Sequence, residues 1–435
     1  MSRAVVRVTN YQRRVVDDEL DELLADLPAV SLEGPKGVGK TATATERAGS
    51  IFSLDNPATL EVIKADPGRL ISAPEPTLID EWQRYPTSWD QVRRAVDARP
   101  DPGRFVLTGS ASPKAPATHS GAGRIVGVRM RPLTLPERDV ETPTVSLSAL
   151  VRGRADGGRA LVTGSTSVDL QTYAEQIFTG GFPGMRASTT RGRRASLKSY
   201  VDRIVDRDFP EAGLAARNPA LLRRWLTAYA AATATTASFE TIRDAATAGN
   251  GDKPAKSTTI PYQDTLQRIW ISDPLPAWVP SRNRLKRLTL ASKHHLADPA
   301  LAMSLTDLTL DDVLEGRGPG PTIPRNGTFL GALFESLVAL NLRVFAQAAE
   351  CSVHHLRTMG GEREIDFIIT GPNGKVLALE VKLAQTVDGH DVRHLRWLAE
   401  TLGPGLVDAV VVTTGKDAYR RADGVAVVPL ALLGP

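Results

Sequence analysis

The residues with the clearest chemical potential lie at 34–41, GPKGVGKT: Gly34, Pro35, Lys36, Gly37, Val38, Gly39, Lys40 and Thr41. This fits G-x-x-x-x-G-K-[ST], follows an apolar segment and opens a helical one, so that successive backbone N–H groups can turn inward around a phosphate. The helix N-terminus adds partial positive charge at the same place. Lys40 can reach phosphate oxygens, and the Thr41 hydroxyl offers a hard oxygen ligand to Mg²⁺. ATP and Mg²⁺ are the expected ligands.

A second set ends the apolar strand TLIDEW, 77–82. Asp80 is the expected magnesium partner, directly or through water, and Glu81 the expected base that orients and deprotonates an attacking water. An Asp-Glu pair at a strand end is common on protein surfaces; its place downstream of the loop, after an intervening strand, gives this one its weight. In FVLTGS, 105–110, Thr108 and Ser110 stand where hydroxyls would read the γ-phosphate or hold the water.

The third set is EREIDFIITGPNGKVLALEVK, 362–382, a hairpin with Asp366 on one strand and Glu380 and Lys382 on the next. A period of two puts Glu380 and Lys382 on one face, with Val381 turned inward. The spacing resembles the D-x(n)-E-x-K core of restriction-endonuclease-like nucleases. That resemblance implies carboxylates holding a second Mg²⁺ or Mn²⁺ beside a scissile phosphate, with the lysine steadying the nucleophilic water. Glu335, on the preceding apolar helix GALFESLVAL, takes the position of that fold's helical glutamate; buried there, it needs a cation or another partner. Arg357 and Gln385 are phosphate contacts or solvent-facing groups. His354 and His355 have no second ligand pair nearby, so zinc is not expected.

The elements that must position these groups follow from apolar runs alternating with amphipathic stretches. Strands are predicted at Ala29 to Glu33, Ile51 to Asp55, Thr77 to Ile79, Arg104 to Thr108 and Ile125 to Arg129, with helices at 17–26, 40–48, 57–65 and 88–98. That is βαβ connectivity and a parallel sheet with covering helices. Residues 141–170, rich in Gly, Ser, Thr and Arg, read as a linker. A mainly helical block follows to 310, then a second α/β unit from about Gly327. The expected division is 1–140, 141–200 (linker and connecting helices), 201–310 and 325–435. Within the third of these, short helices around Phe239 to Ala246 and Thr259 to Ile271 resemble a winged helix-turn-helix. Arg282, Arg284, Lys286, Arg287 and Lys293 on its wing are either phosphate contacts or a solvated face. Tyr262 and Trp270 are expected in the core.

Composition sets outer limits. The 435 residues suffice for two or three domains, and 42% hydrophobic with 23% charged residues argues against wholesale disorder. A net charge of +4 does not announce a nucleic-acid binder. The single cysteine, Cys351, fits a reducing, cytoplasmic setting. Charges interrupt the N-terminus, excluding a secretory h-region, and the apolar run near 329–345 is broken by Glu335, Asn341 and Arg343, so no membrane partner is expected.

Taken together, GPKGVGKT, TLIDEWQRYP, FVLTGSAS, GRIVGVRMRPLTLPE and GGFP resemble bacterial and archaeal AAA-type P-loop ATPases whose C-terminal half is a domain of unknown function. In that group the glutamate follows the magnesium aspartate, and an extra strand separates the two motifs, as Ile51 to Asp55 does along this chain. The resemblance places Arg124 where an arginine approaches a nucleotide, within its own subunit or from a neighbour in an oligomer. It implies an ATPase whose nucleotide state controls the winged-helix and nuclease-like half on DNA. The alternatives are an ATP-gated module with negligible turnover, an ATP-controlled metal-dependent nuclease, and a protein client in place of DNA.

Overall fold

The computed structural model describes residues 11–110, 121–153, 158–186, 188–214, 218–247, 255–279, 291–325, 327–372 and 374–435. The predicted wing residues Arg282, Arg284, Lys286 and Arg287 lie outside them.

Five strands, β1 (Ala29–Glu33), β2 (Ser50–Ser53), β3 (Thr77–Asp80), β4 (Phe105–Gly109) and β5 (Val126–Arg129), form an all-parallel sheet in the order β2-β3-β4-β1-β5. The strand that separates the loop-bearing β1 from the carboxylate-bearing β3 in space is therefore β4. Ile51 to Asp55, the separator along the chain, corresponds to β2 at the sheet edge. Both faces are covered, as parallel sheets require. Leu32, Leu78, Val106 and Val128 point into one apolar core, shared with Leu20 and Leu24 of the helix Val16–Asp26. Their neighbours Ile79, Phe105 and Leu107 point into another, with Ile63 and with Trp89, Val92 and Val96 of the helix Thr87–Ala98.

The middle of the chain is helical. Side-chain caps mark several starts: Asp169 accepts from Thr172 N, Asn218 from Leu221 N and Ser238 from Thr241 N, each satisfying an orphan first-turn donor. Trp225 and Tyr229 on Pro219–Ala231 stack with ring centroids 5.3 Å apart, deep in the main core. Helices Phe239–Ala245 and Lys256–Arg268 fall near the two helical segments predicted there. Tyr262 is buried, and Trp270 lies under the Arg129 guanidinium at 4.8 Å.

Residues 141–170, expected to be a linker, instead carry two short strands that serve the C-terminal half. β6 (Val145–Ser146) pairs in parallel with β14 (Leu433–Gly434), and β7 (Gly164–Ser165) closes one edge of a seven-stranded sheet. Two-residue strands leave no period to read. The other six strands are β8 (Ser352–Arg357), β9 (Glu364–Thr370), β10 (Val376–Lys382), β11 (Leu406–Thr413), β12 (Asp417–Arg420) and β13 (Ala426–Pro429), in the order β7-β12-β13-β11-β10-β9-β8. β9 and β10 form the predicted antiparallel hairpin, and β10 then pairs in parallel with β11.

The helix Phe329–Ala348 packs on one face of this sheet, and Arg393–Leu402 on the other. By length and composition Phe329–Ala348 is apolar enough to cross a membrane, although Glu335, Asn341 and Arg343 interrupt it; it is mostly buried inside the protein, where its apolar surface packs in the core.

Candidate functional site

The loop after β1 is shaped by close approach and by positive φ. Gly34 lies so near the Met130 carbonyl that a Cβ would stand 2.1 Å from its oxygen, and Gly39 opens the helix Lys40–Thr45 at φ 102°. The Lys40 ammonium is buried and donates to the carbonyls of Gly34 and Pro35, both at 2.8 Å. Burial pushes its pKa down to about 8, while Glu81 and Asp80 pull it the other way. The loop thus holds a buried cation whose hydrogen-bonded partners are neutral.

Asp80, at the end of β3, accepts from the hydroxyl of Thr41 at 2.7 Å and from that of Thr108 on β4. The loop's hydroxyl and the strand's carboxylate therefore stand together. Thr108 is fully buried, and its hydroxyl donates to Asp80 and steadies that carboxylate. Glu81 adopts a left-handed backbone (φ 56°, ψ 44°), uncommon for a residue with a side chain. Its carboxylate accepts from Gln83 Nε2 at 2.5 Å and from the Ser110 hydroxyl at 3.4 Å. Burial raises its pKa, with Lys40 opposing. Gln83 was not singled out from sequence; its position two residues beyond Glu81 was the available signal.

Arg124 lies apart from these groups in its bonding: its guanidinium donates to Asp97 on Thr87–Ala98 at 2.8 Å and to the Ala122 carbonyl at 3.1 Å. Lys36, inside the loop, reaches outward to Asp208 at 2.6 Å and Glu211 at 2.9 Å, and its carbonyl accepts from the Tyr200 hydroxyl at 3.0 Å. Asp208 ends the single π-helical turn Ile204–Asp208, a distortion often found where a helix serves a site. Arg14, also missed in the sequence, donates to the Val38 carbonyl at 2.9 Å and pairs with buried Glu137 at 2.8 Å. The loop is thereby fastened to segments before and after the parallel sheet.

A second polar cluster joins the sheet to the C-terminal half. Asp273 is buried among Arg129 at 3.0 Å, Arg131 at 2.9 Å and Arg343 on Phe329–Ala348. Burial would raise its pKa, but the three guanidiniums hold it well below the ordinary carboxylate range.

In the C-terminal half Glu335, Asp366, Glu380 and Lys382 line one cavity of about 860 Å³. The backbone N–H of Val381 donates to Asp366 at 2.9 Å, and Lys382 stands 3.6 Å from Glu380. The element the sequence reading misplaced is Lys293. Expected on a wing as a phosphate contact or part of a solvated face, it is 1% exposed, with its ammonium 3.0 Å from Glu335 and 2.9 Å from both Glu364 and Asp366. Burial would lower its pKa, yet Asp366, Glu335 and Glu364 hold it well above the ordinary value. Burial and the neighbouring Asp366 push Glu380 up. Among the described residues no group of three or more His, Cys, Asp or Glu is disposed to hold a metal ion. The second Mg²⁺ or Mn²⁺ therefore does not fit here: Lys293 stands among the carboxylates that were to bind it.

Comparison with known proteins finds matches in three regions of the chain. The AAA domain family model matches residues 26–138, and two models described as domains of unknown function, DUF8612 and DUF4143, match 170–312 and 330–433. Uncharacterized proteins of Mycobacterium tuberculosis and Mycobacterium bovis are each 26% identical over 434 residues, covering 96% of this chain and 83% of theirs. Among solved structures, a Walker-type ATPase of Pyrococcus abyssi is similar at 16% identity and TM-score 0.38, covering 66% of this chain and 94% of that one. The ORC2 protein of Aeropyrum pernix, in ADPNP and ADP complexes, is similar at 15% identity and TM-score 0.29, covering 72% and 98%. The AAA match falls on the region that carries the loop 34–41, and the two later matches are to families without an assigned function.

Proposed function

We propose that the chain binds ATP with Mg²⁺ at the loop 34–41 and hydrolyses it. The observation that carries this reading is the buried Lys40 ammonium, hydrogen-bonded to two carbonyls and set beside a Thr41–Asp80 pair. Such a cation is completed by a phosphate. Thr41 and Asp80 would hold the magnesium ion, which when bound draws charge from the phosphate oxygens. Glu81 would accept the proton of the attacking water at a carboxylate oxygen, its raised pKa bringing it closer to the working pH of a base. Gln83 and Ser110 orient that carboxylate. Arg124, released from Asp97, would act on nucleotide in its own or a neighbouring subunit. MgATP titration and turnover assays on the native chain and on Glu81→Gln test the reading. Tight binding with at least about a 100-fold slower rate in the variant supports it, and an unchanged rate refutes the role of Glu81.

The nucleotide state would reach the remaining domains through two contacts. Lys36 ties the loop to Asp208 and Glu211, and Asp273 ties Arg129 at the end of β5 and Arg131 just after it to Arg343 of the C-terminal half. The nuclease-like reading of 325–435, with DNA as its partner, is supported by Asp366, Glu380, Lys382 and Glu335 lining one cavity. Because Lys293 stands among these carboxylates, plasmid nicking in Mg²⁺ or Mn²⁺ by Lys293→Met, lost again when Asp366→Ala is added, tests that reading.

A further inference from the structure

Four carboxylates, Glu335, Glu364, Asp366 and Glu380, meet at the C-terminal cavity from three different elements. Gathering so much negative charge at a buried place is unfavourable without cations. Lys382 contributes one, partly exposed and 3.6 Å from Glu380. Arg357 on β8 contributes another, 3.6 Å from Glu364. A third comes from outside the sheet. Lys293 is the most buried charged group of the cavity, and its Nζ lies 2.9–3.0 Å from three of the four carboxylates.

Its placement is enforced by the backbone. Lys293 N donates to Leu275 O at 2.9 Å and Leu275 N to Lys293 O at 2.8 Å, an isolated antiparallel bridge. The next residue, His294, donates from N to the Thr235 carbonyl at 2.8 Å, and its ring Nε2 lies 2.7 Å from the Ala237 carbonyl. Lys293 is thus a fixed part of the site, brought from the middle segment rather than from the nuclease-like domain itself. An ammonium with three donors can satisfy three carboxylates at once, whereas a dication placed among the same oxygens would meet its repulsion at contact distance.

Resting on the nuclease-like reading of the hairpin, we propose that Lys293 is an internal counter-cation that fills the place of a divalent ion among Glu335, Glu364 and Asp366. The carboxylate site is closed to metal for as long as the Lys293 segment stays docked on Leu275. The same carboxylates become a divalent-cation site when that ammonium is withdrawn.

The test uses the full chain without nucleotide and Mn²⁺ as the probe. Calorimetry is expected to show no Asp366-dependent Mn²⁺ binding by the native chain or by Lys293→Arg, which keeps the charge. Lys293→Met should gain one Mn²⁺ site with at least a tenfold higher affinity, lost again when Asp366→Asn is added. Should Lys293→Met not fold alone, added Mn²⁺ should restore its far-ultraviolet circular dichroism, and failure to restore it counts against the proposal. Asp366-dependent Mn²⁺ binding by the native chain, or a folded Lys293→Met that gains no site, overturns it. MgATP titration of the same variants separates this result from the loop assignment. A Lys293→Met that binds Mn²⁺ without nicking plasmid rejects the nuclease reading while leaving the counter-cation in place.

Discussion

Two buried lysines sit at the two chemical centres of this molecule, and their surroundings are opposite. Lys40, 6% exposed, is hydrogen-bonded to two carbonyls, and burial drives its pKa down to about 8. Lys293, 1% exposed, is gripped by three carboxylates that hold its pKa well above the ordinary value. The first is hydrogen-bonded to neutral carbonyls and suits an incoming anion. The second has its negative charge already and leaves little for an incoming cation. Burial is nearly equal; the partners decide whether a charged residue marks a waiting site or a filled one.

The strongest way to break this contrast is at the loop's carboxylate. Glu81→Gln should retain MgATP binding and lower turnover by about 10²- to 10⁴-fold in a phosphate-release assay. Next comes the filled type of site, tested where a different buried ion cluster carries the load. Asp273→Ala leaves Arg129, Arg131 and Arg343 facing one another and should destabilise the chain by about 3–5 kcal/mol in urea unfolding. A loss under about 1 kcal/mol would show that this cluster is solvated in practice.

The low Lys40 pKa gives a pH signature of its own. In the folded, nucleotide-free chain it lies near 8, against an ordinary 10.5, so between those values the unfolded chain binds more protons. The free protein therefore gains stability from this group as pH rises through that window. A bound phosphate favours the ammonium, so ATP binding at about pH 9 should take up close to one proton, and Lys40→Met should take up none. Calorimetry in buffers of different ionisation enthalpy reads this directly. The smallest effect is expected at Lys36, whose pairs with Asp208 and Glu211 are partly exposed. Lys36→Ala should change stability by about 1 kcal/mol or less while uncoupling nucleotide from the protease sensitivity of residues 190–211.

The sequence carried what is local. An apolar strand, a glycine-rich turn and a helix start are contiguous, so Ala29–Glu33 and the loop after it were legible to the residue, as was the β9–β10 hairpin with Asp366 and Glu380 on neighbouring strands. What it hid is tertiary. That β4 lies between β1 and β3, and that Thr108 consequently supports Asp80, follows from pairing between distant segments. Lys293 stands in a basic run that looks solvated by composition; only the bridge to Leu275 turns it into the cavity. The two-residue strands β6 and β7 have no period, so a stretch that serves the C-terminal sheet reads as a linker.

The most direct trial of the account is a calorimetric titration of MgATP into the native chain and into Lys40→Met. The account predicts stoichiometric binding by the native chain and at least about a 100-fold loss of affinity in the variant. No binding by the native chain, or equal binding by both, would contradict it.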